Sequence, residues 1–389
     1  MAVTSMSTSI LTMSESYLPP HAMGHGYSED ADFDFESDSE SDRYTSMSLD
    51  AFAPSVASSK TSMDASMRSQ SPAPSVFSVT SSLRAQAYRQ EYGRGLNNYS
   101  EVYRLPADDE ELDRLDRQHD MFCKAIGKFP PPMPEIMADD EFEVKAVLDL
   151  GCGSGSWIMD IAREFPNASA VAVDLVPMQS TSMPPNCRSE VDDINLGLEH
   201  FYGDFNVVHV QLISSGIRDY HGLINHIAHV LRPGGLIDLT EFAFYFTGIE
   251  KTPICPPAGT FEPPWTPLWM SYANRAVRQR GGDADASLHM HQWVSEHPAF
   301  EDVVYREFWI PLSPWLKGND PNSIWWNSIG ATMRDDVKAF MRSGRPLLLG
   351  NGLSEDFVDQ LENNAVAELD EAITPVYVCI QNVYARKRQ

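Results

Sequence analysis

The sequence predicts an α/β fold in which a mostly parallel sheet carries helices on both faces. Between Lys145 and Glu241, short apolar segments typical of buried strands alternate with segments whose apolar residues recur at helical spacing. This alternation indicates βαβ units, which join parallel strands through right-handed crossovers. A glycine-rich turn follows the first strand, and parallel sheets bind ligands beyond the carboxyl ends of their strands. A ligand site is therefore expected at that edge.

Residues 1–84 are expected to form a disordered tail. They are rich in serine and include the acidic run SEDADFDFESDSESD, Ser28 to Asp42. A segment with few apolar runs cannot bury enough surface to offset the entropy of ordering it. The chain shows no recognisable targeting peptide and no apolar run near the roughly 20 residues that span a bilayer. We expect no membrane partner and a cytoplasmic or nuclear location.

Charge and cysteine spacing argue against two other classes of protein. The formal net charge is −26, whereas direct nucleic-acid binding needs clustered lysine and arginine to neutralise phosphates. The five cysteines are scattered without a C-x-x-C pair, which disfavours a zinc site and a disulfide framework. No nucleic-acid partner and no metal site are predicted.

Residues 85–389 are predicted to form one domain with two additions to the sheet. The first is a lead-in, residues 85–130, whose helix begins at Pro106, Asp108 and Asp109. The second is an aromatic- and proline-rich insertion, residues 245–335. Strands are predicted at 145–150, 168–173, 187–194, 205–212, 236–241 and 303–312, and in PVYVCIQNVYARKR as the strand that closes the sheet edge. Further helices are predicted at 157–165, 220–231, 271–280, 325–341 and 355–369.

The turn after the first strand reads D-x-G-x-G-x-G, with Asp149 followed by Gly151, Gly153 and Gly155. Glycines here let the backbone turn sharply and approach a ligand closely. Dinucleotide sites favour G-x-G-x-x-G, but Ser156 occupies the position of the last glycine and no Walker lysine follows. Asp149 would repel a pyrophosphate and attract the ammonium of an amino-acid moiety. The pattern therefore favours S-adenosylmethionine, which has no phosphate.

Carboxylates at the next two strand ends support the same ligand. Asp174 ends the second strand, where it can accept both ribose hydroxyls of an adenosyl group. Asp192 or Asp193, after the third strand, can accept the adenine amino proton while Ile194 packs on the ring. Each residue alone is also compatible with a turn, a helix cap or a solvated loop. Their order at successive strand ends favours cofactor binding.

Several segments together resemble the class I methyltransferases and, within them, the fungal LaeA-like group. The resemblance rests on VLDLGCGSGSWIMDIAREFPNASAVAVDLVP, SEVDDI, FNVVHVQL and HVLRPGGLIDLTE, and on EYGRGLNNY and YRLPADDEELDRLDRQHDMF in the lead-in. It covers about Tyr88 to Arg388 and implies a Rossmann-like methyltransferase sheet. The cofactor contacts it implies are Asp149, Gly151, Gly153, Gly155, Asp174, Leu175, Asp192, Asp193 and Ile194. The lead-in of such enzymes can fold over the cofactor, which makes Tyr92, Arg94 and Tyr99 candidates to close the site.

The methyl acceptor is left open by the sequence. One hypothesis is an enzyme acting on a secondary metabolite or a protein side chain. The alternative is a LaeA-like regulator that binds the cofactor and protein partners with little turnover, using Ser37, Ser39 and Ser41 of the acidic tail as a modifiable contact segment. The fourth strand is not followed by an NPPY-like tetrapeptide, which disfavours amide or adenine N-methylation.

Methyl transfer is an in-line displacement, so alignment of donor and acceptor supplies much of the catalysis. A base is needed only for a protonated nucleophile, and none is predicted. The residues considered for that role are His289, His291, His297, Asp238 and Glu241. The insertion is predicted to be an acceptor-side lid, with Phe246, Phe261, Trp265 and Trp269 either walling an apolar pocket or packing as ordinary core.

Overall fold

The structure of the chain is a computed structural model that describes residues 86–389 except 179, 181 and 258. The tail predicted at 1–84 lies outside the described residues. Within them, seven strands form one sheet, and a separate two-stranded hairpin precedes it in the chain. The sheet fixes the place of the site, because its parallel strands all end at one edge.

The lead-in consists of the hairpin and a helix. The elements are β1 (Tyr88–Glu91), β2 (Arg94–Asn97), α1 (Asp109–Ala125) and the short α2 (Met133–Ile136). Asp108 caps α1 by accepting a hydrogen bond from the backbone N–H of Glu111. Three acidic residues in the first turn favour the positive end of the helix dipole. The predicted start of this helix is therefore where the structure places it.

Five parallel strands form one side of the described sheet. The strands of the whole sheet are β3 (Ala146–Leu150), β4 (Ser169–Asp174), β5 (Cys187–Val191), β6 (Phe205–Gln211), β7 (Leu231–Phe242), β8 (Phe300–Pro311) and β9 (Tyr377–Lys387). Their order across the sheet is β5-β4-β3-β6-β7-β9-β8. The last strand does not close the sheet edge as predicted, because β9 lies antiparallel between β7 and β8. Its residues from Val378 to Ala385 are buried, as expected of a central strand. The edge strand on this side of the sheet is β8, and most of its side chains are partly or fully exposed.

Helices cover both faces of the sheet, as predicted. The helices after the lead-in are α3 (Ser156–Glu164), α4 (Tyr220–Val230), α5 (Trp265–Gln279), α6 (Ala286–Glu296), α7 (Pro321–Leu349) and α8 (Glu355–Glu371). Apolar residues of α2 and α3 pack on one face, and those of α4 and α6 pack on the other. A third apolar cluster joins α1, α5, α7 and α8 to the ends of β7, β8 and β9. These four helices form a helical layer that covers one end of the sheet.

The range predicted as one lid, residues 245–335, is divided in the structure. Its helix α5 and the first half of α7 belong to the helical layer, but α6 packs on the sheet face beside α4. The sequence prediction missed α6 and began α5 six residues late. It also shortened α7, which begins at Pro321 after the cap residue Asp320 and continues to Leu349. Apolar residues of α6 are buried against the sheet, so this part of the range is core rather than lid.

Candidate functional site

A cavity of about 190 Å³ lies at the carboxyl ends of the parallel strands, between the sheet and the helical layer. Two groups of residues within its lining differ in chemistry. The polar half comprises Asp149, Gly151, Gly153, Asp174, Leu175, Asp192, Asp193 and Ile194. The aromatic half comprises Phe122, Phe242, Phe244, Phe246, Met270, Met333, Phe340 and Ile380. Eight of the predicted contact residues are thus brought together on one side of the cavity.

The turn between β3 and α3 forms the floor of the polar half. Gly151 has φ of +76°, and a Cβ added there would overlap the side chain of Ile213. The backbone N–H of Gly151 donates to the carbonyl of Val173 at 2.8 Å, and that of Gly153 donates to the Asp174 carboxylate at 2.9 Å. The turn is therefore tied to the end of β4. Only glycine provides this conformation and clearance at position 151.

Two carboxylates reach the cavity from neighbouring strands. Burial raises the pKa of Asp149 to about 7, although nearby His209 opposes the shift. Among the described residues, no donor lies within hydrogen-bond distance of its carboxylate. Burial also raises the pKa of Asp174 to about 6, against hydrogen bonds from the backbone that lower it. Burial makes both acids costly to ionise, and a cation or a hydroxyl pair would offset that cost.

The loop after β5 carries the other two acids. Asp193 accepts hydrogen bonds from the backbone and side-chain nitrogens of Asn195 at 3.0 and 2.9 Å. Asp192 pairs with His200 at 3.1 Å. The side chain of Asn195 donates to the carbonyl of Gly216 at 2.9 Å, which fastens this loop to the loop after β6. Ile194, the first residue of a 3₁₀ turn, then lies along the cavity wall.

Four of the predicted contact residues do not line the cavity. Gly155 instead begins α3 with φ of +79°, and a Cβ there would overlap Met178. Tyr92 lies in the hairpin turn with 55% of its surface exposed, and Tyr99 is 54% exposed. Arg94 is held by Asp108 through two hydrogen bonds of 2.8 Å. It therefore braces the start of α1 and does not line the cavity.

The lead-in nevertheless covers the cavity through other residues. Tyr103 and Leu105 line it from the segment before α1, and α1 contributes Leu115, Gln118 and His119. These positions lie on one face of α1 at three- and four-residue spacing, which is the signal that could have identified them. Residues of the lead-in therefore line the cavity, but they are not the residues that were predicted to close it.

For four aromatic residues of the insertion, the sequence left a pocket wall and ordinary core packing open. Phe246 lines the cavity, whereas Phe261, Trp265 and Trp269 do not. Phe261 packs against Trp265 and against Phe357 of α8, with ring centroids 5.0 Å apart in both pairs. Trp269 is buried with its ring 5.6 Å from Phe340. Phe261, Trp265 and Trp269 therefore pack within the helical layer, behind the side chains that line the cavity.

A buried charged cluster lies at the junction of α1 and α7. Arg114 donates to Asp336 at 2.9 Å and to Glu111 at 2.6 and 3.0 Å. Gln118 donates to the second Asp336 oxygen at 2.9 Å. Burial alone would lower the pKa of Arg114, but the two carboxylates raise it above its ordinary value. No sequence signal pairs residues this far apart, so the sequence analysis missed Asp336.

None of the five candidate bases lines the cavity among the described residues. His289 and His291 lie on α6, where His289 packs beside Trp293 and His291 stacks on Tyr305. His297 follows the same helix. The reason is that α6 covers a sheet face away from the strand ends.

The two candidate acids of β7 have structural partners. Glu241 is fully buried and accepts from the backbone of Ile213 and Ser214 at 2.9 and 3.1 Å. Burial raises its pKa to about 7. Asp238 accepts from His209 at 2.8 Å. Glu241 therefore supports the loop after β6, and Asp238 holds a histidine that the sequence analysis did not single out, although a histidine inside a buried strand pattern was a visible signal.

In the described part of the chain, no group of histidine, cysteine or acidic side chains is arranged to hold a metal ion. The same residues contain no helix that is both long and apolar enough to cross a membrane.

Comparison with known proteins places the polar half within a matched domain. Residues 147–235 match the family model described as a methyltransferase domain. The chain is 48% identical over 303 residues to the secondary metabolism regulator laeA of Coprinopsis cinerea, covering 77% of this chain and 74% of that protein. It is 28% identical over 217 residues to methyltransferase str2 of Strobilurus tenacellus, covering 54% and 72% of the two chains. It is also 29% identical over 265 residues to laeA of Aspergillus flavus, covering 65% and 67%. The matched domain contains the whole polar half and none of the aromatic half.

Proposed function

The chain belongs to the fungal LaeA-like family of S-adenosylmethionine-dependent methyltransferases, and we propose that it methylates a small, largely apolar molecule held in the aromatic half of the cavity. Within the described residues, five phenylalanines from three parts of the chain line that half. Small-molecule sites are typically apolar cavities with few, well-placed polar groups. An extended protein segment would need an open groove instead.

The polar half suits the cofactor. S-adenosylmethionine carries a sulfonium and an ammonium and has no phosphate, and this half of the cavity presents four carboxylates. Arg114 is the only arginine or lysine among the described lining residues, and Glu111 and Asp336 already engage it. A cationic ligand would offset the cost of ionising Asp149 and Asp174 at this site.

Each residue of the polar half has a proposed part in holding the cofactor. Asp149 receives the ammonium, and Asp174 accepts from the ribose hydroxyls. Asp192 or Asp193 accepts from the adenine amino group, while Ile194 and Leu175 pack against the adenosyl moiety. The glycines of the β3–α3 turn admit the cofactor close to the backbone. When bound, the cofactor supplies a methyl group on its sulfonium, which an acceptor in the other half can attack.

The aromatic half aligns the acceptor and keeps water away from it. Gln118 lines the cavity, and its amide nitrogen is engaged by Asp336 at 2.9 Å, which leaves its oxygen to accept from an acceptor hydroxyl or amine. Phe340 and Phe242 pack edge to face with ring centroids 6.3 Å apart, so the wall is preformed. Fixed alignment of two reactants supplies much of the rate enhancement of a displacement reaction.

Label transfer tests the proposed acceptor class. Purified protein would be incubated with S-adenosylmethionine labelled in its methyl group and fungal extract, and label would be counted separately in small molecules and in protein. We expect label in the small-molecule fraction. The matched control is the Asp174→Ala variant, which should bind the cofactor weakly. Label that still appears with this variant comes from the extract's own methyltransferases. Label confined to protein would contradict the proposal.

Regulation through protein partners is a second candidate, favoured by the 48% identity to a secondary metabolism regulator. In that case the acidic segment Ser28 to Asp42, outside the described residues, would be a contact segment, and the protein would act in the cytoplasm or nucleus. Tight calorimetric binding of the cofactor without label in either fraction would favour this role.

A further inference from the structure

Tyr103 lines the cavity from the segment between β2 and α1. Its backbone is held by Asn97, the last residue of β2, whose side-chain nitrogen donates to the Tyr103 carbonyl at 2.9 Å. The side-chain oxygen of the same buried asparagine accepts from the backbone of Tyr99 and Ser100 at 3.1 and 2.7 Å. One asparagine therefore fixes both ends of this segment, and with them the position of Tyr103.

The phenol ring of Tyr103 packs against the backbone of Gly216, in the loop after β6. A Cβ added at Gly216 would lie 3.0 Å from the ring carbon Cδ2, which is closer than side chains ordinarily pack. The carbonyl of Gly216 accepts from the side chain of Asn195 at 2.9 Å, and that side chain also donates to Asp193 at 2.9 Å. The ring therefore covers the cavity beside the loop that carries the acids proposed to bind adenine.

The hydroxyl of Tyr103 has no hydrogen-bond partner among the described residues. Burial raises the pKa of this phenol, the carboxylates of Glu111 and Asp174 raise it further, and Arg114 lowers it. Asp149, which is proposed to receive the ammonium of the cofactor, is not among the described groups that affect this pKa. The hydroxyl therefore keeps its proton and lies nearer to the ribose carboxylate Asp174 than to the ammonium site.

We propose that Tyr103 binds the ribose of the cofactor: its hydroxyl donates a hydrogen bond to the oxygen of a ribose hydroxyl whose own proton is directed to Asp174. The inference rests on the proposed function, in which the ribose lies at Asp174. Tyr103 contacts the cofactor away from the sulfonium, so it is a binding residue and takes no part in the methyl transfer itself.

The count of donors and acceptors at this end of the cavity supports the assignment. An ionised carboxylate accepts hydrogen bonds and donates none, so the ribose hydroxyls direct their protons to Asp174. Each ribose oxygen then retains lone pairs that need a donor. Asp174 already accepts from the backbone of Gly153 at 2.9 Å, whereas the hydroxyl of Tyr103 is a donor that the described fold leaves unused.

Calorimetry with S-adenosylhomocysteine and its 2′-deoxy and 3′-deoxy analogues tests the inference. For Tyr103→Phe we expect S-adenosylhomocysteine to bind about fivefold more weakly, because one neutral hydrogen bond is lost. Removal of the ribose hydroxyl that Tyr103 contacts should abolish this difference, so one analogue should bind the natural protein and the variant within about twofold. Tyr99→Phe, the same change at a tyrosine of the same segment that is 54% exposed, is the matched control and should bind all three ligands normally.

Three results would overturn the inference. The first is unchanged binding of S-adenosylhomocysteine by Tyr103→Phe. The second is an equal loss for all three ligands, as a general loosening of the cavity would cause. The third is a lower unfolding temperature of the ligand-free variant, which would show that the hydroxyl supports the fold instead. Failure of the natural protein to bind S-adenosylhomocysteine would count against the proposed function.

Discussion

The two halves of the cavity are built in opposite ways. The eight residues of the polar half fall between Asp149 and Ile194, each at or just after the end of a strand. The aromatic half draws on Phe122, on Phe242 to Phe246, on Phe340 and on Ile380, which meet only in the folded chain. The first half can therefore be encoded by a short motif, whereas the second depends on tertiary packing.

Different forces hold the two halves together. Backbone hydrogen bonds and a glycine turn shape the polar half, as in the 2.9 Å bond from Gly153 to Asp174. The aromatic half depends on a buried apolar cluster and on the ion pair of Arg114 and Asp336, which joins α1 to α7. We therefore expect changes in the polar half to affect ligand binding most, and changes at the α1–α7 junction to affect stability most.

The largest expected effect is on stability at this junction. Asp336→Ala leaves Arg114 buried with only Glu111 as a charged partner, and removal of one partner from a buried pair typically costs about 3 kcal/mol or more. Urea denaturation should show the free energy of unfolding reduced by about that amount. The control is Asp335→Ala, the adjacent residue, whose side chain is 68% exposed. Exposed pairs contribute little, so equal losses in the two variants would contradict the assigned role of the cluster.

The next effect is on cofactor binding in the polar half. Asp174→Ala removes a buried carboxylate that is proposed to accept from the ribose hydroxyls, and loss of such charge-assisted hydrogen bonds costs about 1 to 3 kcal/mol. Calorimetry should show S-adenosylmethionine binding weakened about 5- to 150-fold. Asp204→Ala, at an exposed position before β6, should bind normally. Unchanged binding by the Asp174 variant would remove the ribose assignment.

The same contrast explains what the sequence could predict. The strands β3 to β7, the glycine turn and the acids at the strand ends follow from local patterns, because each is set by residues close in sequence. The edge position of the last strand was predicted wrongly, since order within a sheet depends on which surfaces meet. For Trp269 the sequence left the pocket wall and core packing open, because an aromatic residue in a loop-like segment gives the same pattern whether it lines a cavity or packs behind it. The role of Asp336 could not be predicted, because its partners Arg114 and Gln118 are on a helix near the other end of the described chain.

The smallest expected effect separates the acceptor from the cofactor. Phe340→Leu removes part of the aromatic wall while keeping an apolar side chain, so we expect cofactor affinity within about twofold of the natural value. Methylation at limiting acceptor should fall several-fold, since a lost wall contact is worth about 1 kcal/mol. Phe357→Leu is the matched control, because Phe357 packs on the same apolar cluster and does not line the cavity. Equal losses of methylation in both variants would show that general loosening of the helical layer, and not the wall itself, determines how the acceptor is held.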